Sequence, residues 1–306
     1  MTITQLTYVL ALNKHKNFTK AAKGCMVSQP SLSMQIQKLE EELKVSLFDR
    51  TKKPIETTKI GKKLINQFKV IISESKKVYE IINYEKQKTF RKINFGISSS
   101  FESSLLPIFF KTIKSKLKNI NIDYLKNNKE GLLKLLNENE LDFIITNTPI
   151  NNSELNVKVL YYEPLMILIP DNLRLSETDT IDLNEINTEK LIVPKSTDLR
   201  KTINKLFDNK KFNSKIKSNN LQSLFNLSYS GIGITIVPFL FYKNLSQEKR
   251  NNVYHFKAPF PSREISIIYK RKSIKKDIIE EICSLIKKSM KSIEIFSDVK
   301  IIDTTN

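Results

Sequence analysis

The run Val27-Ser28-Gln29-Pro30-Ser31-Leu32-Ser33-Met34-Gln35-Ile36-Gln37-Lys38-Leu39-Glu40-Glu41-Glu42-Leu43 carries two messages at once. Leu32, Ile36, Leu39 and Leu43 recur at steps of four, three and four, the spacing of one buried stripe on an α-helix. Ser28 is a good N-cap, and Pro30 falls in the first turn, where its missing N–H costs little. The other face near the start carries Gln29, Pro30, Ser31, Ser33, Met34 and Gln37. These uncharged side chains sit at the positive end of the helix dipole, suited to phosphates and base edges. Glu40-Glu41-Glu42 lies beyond and would repel a nucleic acid, so only the amino-terminal half of the helix can enter a major groove. Taken alone, the helix is read more simply as an ordinary capped amphipathic one.

Its neighbours change the balance. Upstream, Thr4 is expected to cap a helix carrying Leu6, Val9, Leu10 and Leu12, with a break over 13–17. Phe18-Thr19-Lys20-Ala21-Ala22-Lys23 follows as a short helix whose small pair permits close packing. Downstream, Leu47-Phe48-Asp49-Arg50 and Lys52-Lys53-Pro54-Ile55-Glu56-Thr57 form a basic turn between two extended pieces, a wing whose Arg50, Lys52 and Lys53 can reach the DNA backbone or minor groove. Short helix, tight turn and polar-faced helix together suggest a winged helix-turn-helix. From Thr58 onward, apolar residues recur at Ile60, Leu64, Phe68, Ile71, Val78 and Ile82, with Ser75 filling the gap. That near-heptad seam runs over roughly 30 residues, or ~45 Å of helix. It predicts pairing between two chains; the alternative is one long helix packed on its own domain.

The chain has 306 residues, about two domains' worth, with 51 Lys+Arg against 32 Asp+Glu and a net charge of +19. Residues 1–90 contribute +9 of that, more than twice the density of the remainder. A basic module on a more balanced body suggests a polyanionic partner, although lysine is abundant throughout and solvated lysine alone accounts for the total equally well. Hydrophobic residues at 40% and only six glycines exclude collagen-like and wholly disordered chains. No apolar run approaches the ~18 residues of a membrane span, and the amino terminus lacks a signal-peptide pattern, so no membrane association and a cytoplasmic location are expected.

After Lys88 the period changes. Strands are expected at 92–97, 120–125 and 141–146, with helices at 105–118 and 130–137, an alternation that argues for βαβ units on a parallel sheet. A second alternation places strands at 165–169, 190–193, 216–217 and 234–237, with helices at 199–207 and 221–230. A strand at 264–269 and a helix at 277–293 close the chain. Two such lobes leave a cleft at the carboxyl ends of their strands, where α/β folds bind ligands. Ser98-Ser99-Ser100, Thr146-Asn147-Thr148, Ser196-Thr197-Asp198 and Asn219-Asn220 fall there. Their hydroxyls and helix-start N–H groups suit a small polar ligand, and each set is also what a plain N-cap looks like.

Ala21-Ala22, Val27-Ser28-Gln29-Pro30-Ser31-Leu32-Ser33, Ile36, Leu39-Glu40, Leu47-Phe48-Asp49-Arg50 and Thr57/Thr58-x-x-Gly61 resemble the signature of LysR-type transcriptional regulators, almost without gaps over residues 1–64. The resemblance implies Gln29, Pro30, Ser33 and Met34 at base edges, with Ser31 and Arg50 on the DNA backbone. It also implies a linker helix and an effector domain of two lobes, folded like periplasmic solute-binding proteins. Within the family, Leu105-Leu106-Pro107, Glu163-Pro164-Leu165 and Gly231-x-Gly233-Ile234-Thr235-x-x-Pro238 are most similar to the peroxide-sensing subgroup. There the peroxide-holding Ser/Thr corresponds to Ser100, but the sensing cysteine corresponds to Asp198 and its resolving partner to Phe207. Without those thiols no sulfenic acid or disulfide switch can form. Asp198 adds negative charge at a helix start and points to a neutral or cationic effector.

The expected fold is therefore α/β with an all-α amino-terminal part: a winged helix-turn-helix at 1–58, a dimerising helix at 59–88 and an effector domain at 89–306. Lobe I is expected at about 91–162 and 267–300, lobe II at about 163–266. Candidate DNA contacts are Gln29, Pro30, Ser31, Ser33, Met34, Gln37, Arg50, Lys52 and Lys53. Candidate effector contacts are Ser99, Ser100, Phe101, Thr146, Asn147, Thr197, Asp198, Asn220 and Gly231. The partners are double-stranded DNA, a small-molecule effector and further copies of the chain, as a homodimer or homotetramer. His15 and His255 have no metal-spaced companions, Cys25 and Cys283 read as buried and inert, and Gly231-x-Gly233 lacks the third glycine of a dinucleotide fingerprint. No catalytic residue, metal or cofactor is expected. The competing function is a small-molecule-binding or hydrolytic α/β protein whose amino-terminal helices serve only assembly.

Overall fold

The computed structural model describes residues 1–87, 92–114, 117, 120–174, 179–195, 197–208, 212, 216, 218–291 and 298–304. Lys88 and Ser196, named above, and residue 217 of the expected strand 216–217 lie outside them. The chain divides into two compact units, Met1–Phe90 with Asn137–Glu140, and Arg91–Leu136 with Leu141–Asn306.

In the first unit, α1 (Ile3–His15), α2 (Phe18–Gly24) and α3 (Gln29–Leu43) precede the strands β1 (Phe48–Asp49) and β2 (Glu56–Thr57) and the helix α4 (Lys59–Gln87). The cap of α1 is Thr2 rather than Thr4: Thr2 Oγ1 accepts from Gln5 N, and the Gln5 side chain accepts from Thr2 N at 2.8 Å. Thr4 lies inside the helix because this reciprocal box satisfies two end N–H groups that a start two residues later would leave exposed. Leu32, Ile36 and Leu39 are fully buried against Leu6, Val9, Leu12, Ala21 and Ala22. β1 and β2 pair antiparallel, Phe48 opposite Thr57, and form the wing.

The seam of α4 is corrected by the structure. Its first half does not wait for a second chain: Phe68 and Ile65 are buried, and Leu64, Ile71 and Ile72 pack on the same core as α1 and α3. Only Ile60 and the later Val78 and Ile82, joined by Tyr79 and Ile81, remain exposed. A three-helix core this small needs a fourth wall, and α4 supplies it.

The second unit carries β3 (Lys92–Ser98), α5 (Glu102–Lys114), β4 (Asn121–Asn127), α6 (Lys129–Asn137), β5 (Phe143–Asn147), β6 (Leu155–Leu168) and β7 (Thr180–Ile181). α7 (Asp198–Leu206), α8 (Leu221–Tyr229), β8 (Thr235–Pro238), α9 (Phe239–Lys243), α10 (Gln247–Arg250), β9 (Val253–Phe256), β10 (Phe260–Lys270), α11 (Lys276–Met290) and β11 (Val299–Ile301) follow. Among the described residues nine strands form one curled sheet, ordered β4-β3-β5-β10-β6-β9-β7, with β11 on β10 and β8 on β6. β3, β4 and β5 are parallel as expected, but β10 runs antiparallel to β5 and β6, and β8 and β9 antiparallel to β6, so the sheet is mixed.

The long strands β6 and β10 serve both lobes. Pro164, expected to precede a strand, lies within β6 opposite Ser262. Alternation along the strands builds the cores: Phe143 and Ile145 face α5 and α11, while Ile144 faces α6. Leu165 and Ile167 face one side of lobe II, Met166 and Leu168 the other. One expected strand is reduced: 190–193 keeps a single bridge, Leu191 with Ile234. Of the expected strand 216–217 only Ile216 is described, and it lies in no strand.

Candidate DNA-binding face and effector cleft

The tip of α3 is built as its sequence requires. Ser28 Oγ accepts from Ser31 N at 3.3 Å, and the buried stripe turns the opposite face outward. Gln29, Pro30, Met34 and Gln37 are exposed, Ser31 and Ser33 half-buried, and Met34 retains 52% of its accessible surface. Gln37 Nε2 donates to Glu41 Oε1 at 3.0 Å.

The acidic triplet has local work that spacing alone did not disclose. Glu40 turns inward: Oε1 accepts from Leu47 N at 2.7 Å and Phe48 N at 3.2 Å, and Oε2 meets Arg50 Nη2 at 2.6 Å. Glu42 pairs with the terminal ammonium of Met1. Glu40 thus fastens the wing to α3, and Arg50, whose guanidinium lies 5.5 Å from the Phe18 ring centroid, bridges α2, α3 and the wing. Lys52, Lys53 and Thr51 are exposed between the wing strands, Lys52 being 2.8 Å from Glu56. Thr58 Oγ1 donates to Ser46 O at 2.7 Å and accepts from Gly61 N, and a Cβ on Gly61 would meet Leu47 O at 2.2 Å. The Thr58-x-x-Gly61 motif therefore seats α4 against the wing.

In the second unit, Arg263 on β10 stands directly opposite Glu163 on β6. Both are 1% exposed; Arg263 Nε donates to Glu163 Oε2 at 2.8 Å, and Glu163 Oε1 accepts from Leu240 N at 3.3 Å. Burying such a pair is costly unless its remaining groups are bonded; the neighbours bond Glu163 Oε1 and Arg263 Nη1, while Arg263 Nη2 lies 2.7 Å from Glu163 Oε2 as an ion pair with no hydrogen-bond partner of its own. Arg263 Nη1 donates to Ser100 Oγ at 3.1 Å, and its guanidinium lies 5.2 Å from the centroid of the buried Phe101 ring. Ser98 Oγ is 3.1 Å from Ser100 Oγ and donates to Asp198 Oδ2 at 2.6 Å. Asp198 opens α7, whose cap Thr197 accepts from Arg200 N at 3.2 Å. Tyr161 OH is buried with no hydrogen-bond partner; burial, reinforced by Glu163, pushes its phenol well above the usual tyrosine value. Burial likewise lowers the Lys129 ammonium, against the opposing pull of Asp198.

The structure thus brings Ser100, Phe101 and Asp198 into one network with Ser98. The others stand apart from it in their bonding. Ser99 is exposed and donates to Asn127 O, while Thr146 and Asn147 are buried at the end of β5 and bond each other at 3.4 Å. Asn220 caps α8 through Ser223 N, and Gly231, at φ +87°, accepts from Asn172 Nδ2. Arg263 and Glu163 were missed as site residues. The available signal was an arginine beside the apolar run Ile265 to Tyr269 and a glutamate in Glu163-Pro164-Leu165.

Cys283 is buried, but Cys25 is only half-buried, because it terminates α2 at the surface of its core; burial raises both thiols. Among the described residues no three His, Cys, Asp or Glu side chains converge as metal ligands, and no helix is long and apolar enough to cross a membrane.

A capped, outward-facing helix tip with a basic wing, joined in one chain to a two-lobed α/β fold, defines a DNA-binding regulator with a ligand-binding domain. Two family models match: the bacterial regulatory helix-turn-helix protein of the lysR family over residues 3–62, and the LysR substrate binding domain over residues 86–290. The chain belongs to the LysR family of transcriptional regulators. It is 27% identical to a hydrogen peroxide-inducible genes activator of Haemophilus influenzae, over 96% of this chain and 98% of that protein. It is 26% identical to the DNA-binding transcriptional dual regulator OxyR of Escherichia coli, over 95% and 96%. Among solved structures, full-length OxyR of Pseudomonas aeruginosa with a cysteine-to-aspartate substitution superposes with TM-score 0.76 at 24% identity, covering 94% of this chain and 95% of that one. A cysteine-to-serine variant of Corynebacterium glutamicum OxyR bound to H2O2 gives TM-score 0.63 at 18% identity, covering 100% and 98%. At these identities the structural likeness is one of fold.

Proposed function

We propose that the chain is a sequence-specific regulator in which residues 1–58 read double-stranded DNA, 59–88 pair two copies, and 89–306 bind a small effector between lobe I (about 91–162 and 267–300) and lobe II (about 163–266). Gln29, Pro30, Ser33, Met34 and Gln37 meet base edges, while Ser31, Arg50, Lys52 and Lys53 meet the backbone or minor groove. The observation that carries this reading is the exposure of an uncharged helix tip whose opposite face is wholly buried. Exposed Val78 and Ile82 support pairing of α4 into a homodimer, from which a homotetramer can be built. The protein acts in the cytoplasm, without a cofactor and without catalysis.

The effector meets Ser99, Ser100, Phe101, Thr146, Asn147, Thr197, Asp198, Asn220 and Gly231, and the charge arrangement favours a neutral or cationic molecule. Arg263 is already matched by Glu163, whereas Asp198 brings a further buried negative charge. Peroxide sensing through a thiol is not carried over from the relatives, because Asp198 and Phe207 stand at the two positions that the resemblance assigns to cysteine. Binding acts on DNA occupancy through its different affinity for two lobe arrangements.

The test is binding to promoter fragments across a salt series. A steep negative slope of log affinity against log salt is expected, and a slope near zero removes DNA binding. Should the amino-terminal helices serve only assembly, deleting residues 1–57 would leave the main activity intact; the loss of operator binding in Gln29→Ala and Ser33→Ala chains that still fold rejects that alternative.

A further inference from the structure

Lobe II holds a cavity of about 240 Å³ that is separate from the Ser98–Asp198 network in its lining. Its apolar walls are Ile169, Leu173, Ile181, Ile186 and Ile234. All but Leu173 are at least nine-tenths buried, so the walls are fixed parts of the lobe core. At about 30 Å³ per water, the volume matches roughly eight waters, room for one ring with a carboxylate.

Among the described residues, the charged groups of the lining are Glu185, Lys190 and Arg174. Glu185, the acid in the lining, is answered by Lys257, whose Nζ lies 3.4 Å from Glu185 Oε1 and 3.7 Å from Asp182 Oδ2. Lys190 is exposed at the rim, and among the described residues it has no carboxylate within ion-pair distance. Arg174 lines the cavity too, with its guanidinium 5.1 Å from the Tyr254 ring centroid. Tyr254 belongs to the same apolar cluster, is 7% exposed, and keeps a buried hydroxyl with no hydrogen-bond partner. Asn172, also in the lining, donates to Gly231 O at 3.1 Å, so the Gly231 turn lies against this wall.

We propose that lobe II carries its own binding site for a small apolar monocarboxylate, its ring or branched chain among the isoleucines and its carboxylate at Lys190. A second ligand site would let the protein combine two signals. The site stands independently of the DNA-binding assignment, because it is tested by direct binding.

The full-length chain is titrated calorimetrically with cyclohexanecarboxylate and with its uncharged counterpart cyclohexylmethanol. Saturable one-to-one binding of the acid is expected, about tenfold or more tighter than the alcohol, as charge-assisted hydrogen bonds would give. Lys190→Ala, at an exposed position that does not threaten folding, should weaken the acid about tenfold and leave the alcohol unchanged. Leu173→Trp should exclude both by filling the cavity, and since the chain has no other tryptophan its fluorescence reports that the variant is folded. Absence of saturable binding at millimolar acid, equal affinity for acid and alcohol, or parent-like acid binding by either variant overturns the proposal.

Discussion

Ser98 donates its hydroxyl proton to Asp198 at 2.6 Å, with both side chains buried, so a residue at the end of β3 in one lobe is tied to the first residue of α7 in the other. The bond joins the lobes through one hydroxyl, which makes it a sensitive place to perturb. Ser98→Ala leaves Asp198 buried without its donor and should cost about 1–3 kcal/mol. Denaturant unfolding of the full chain measures this, and a change below a few tenths of a kcal/mol would contradict the bond.

The Arg263–Glu163 pair makes a sharper test because both members are 1% exposed. Arg263→Met leaves an uncompensated glutamate and should destabilise the effector domain by about 3–5 kcal/mol, whereas the double change with Glu163→Met should recover most of that loss. The cycle is read from unfolding midpoints of the two single variants and the double.

His255 lies among the rings of Tyr242 and Phe260, and burial lowers its pKa from the ordinary 6.5. The unfolded chain then binds more protons than the folded one just below pH 6.5, so stability falls as the pH drops through that value. His255→Phe should flatten the thermal midpoint between about pH 5.5 and 7, the range set by the ordinary histidine value. An unchanged slope would place the pH dependence elsewhere.

Gly61 has no room for a side chain, its notional Cβ lying 2.2 Å from Leu47 O and 2.9 Å from Thr57 Cγ2. Gly61→Ala should displace α4 from the wing and destabilise the amino-terminal module by about 3 kcal/mol, the upper end for overpacking. Circular dichroism melts and DNA affinity should fall together.

Lys52 and Lys53 together should contribute about two counterions to DNA binding. The double change Lys52→Ala with Lys53→Ala is expected to lower the salt slope by about that number while leaving sequence preference intact. Gln29→Ala should instead relax preference at one base position, by about 1–3 kcal/mol. Protein-binding arrays run at two salt concentrations separate the outcomes.

The helical module was legible because its signals are local. Ser28, Pro30 and the Leu32–Ile36–Leu39 stripe specify a capped helix with one buried side, and short-range periodicity is all that such an element requires. β3, β4, β5, α6 and α7 were legible for the same reason. The strand 165–169 was found but truncated: β6 begins at Leu155, and its first half, Asn156-Val157-Lys158-Val159, alternates polar and apolar residues, a pattern that gains meaning only when β10 lies alongside.

Sequence by itself determined the class of fold and the polar tip of α3, both of which depend on residue type and spacing of a few residues. Tertiary structure alone decided that Glu40 fastens the wing, that half the α4 seam is spent within its own module, and that Arg263 meets Glu163 and Ser100. The hydrogen bonds of Glu40 and Arg263 join residues 7 to 163 positions apart. At such separations the energy of a buried charge depends on which strands and helices arrive beside it, and chain spacing carries no record of that.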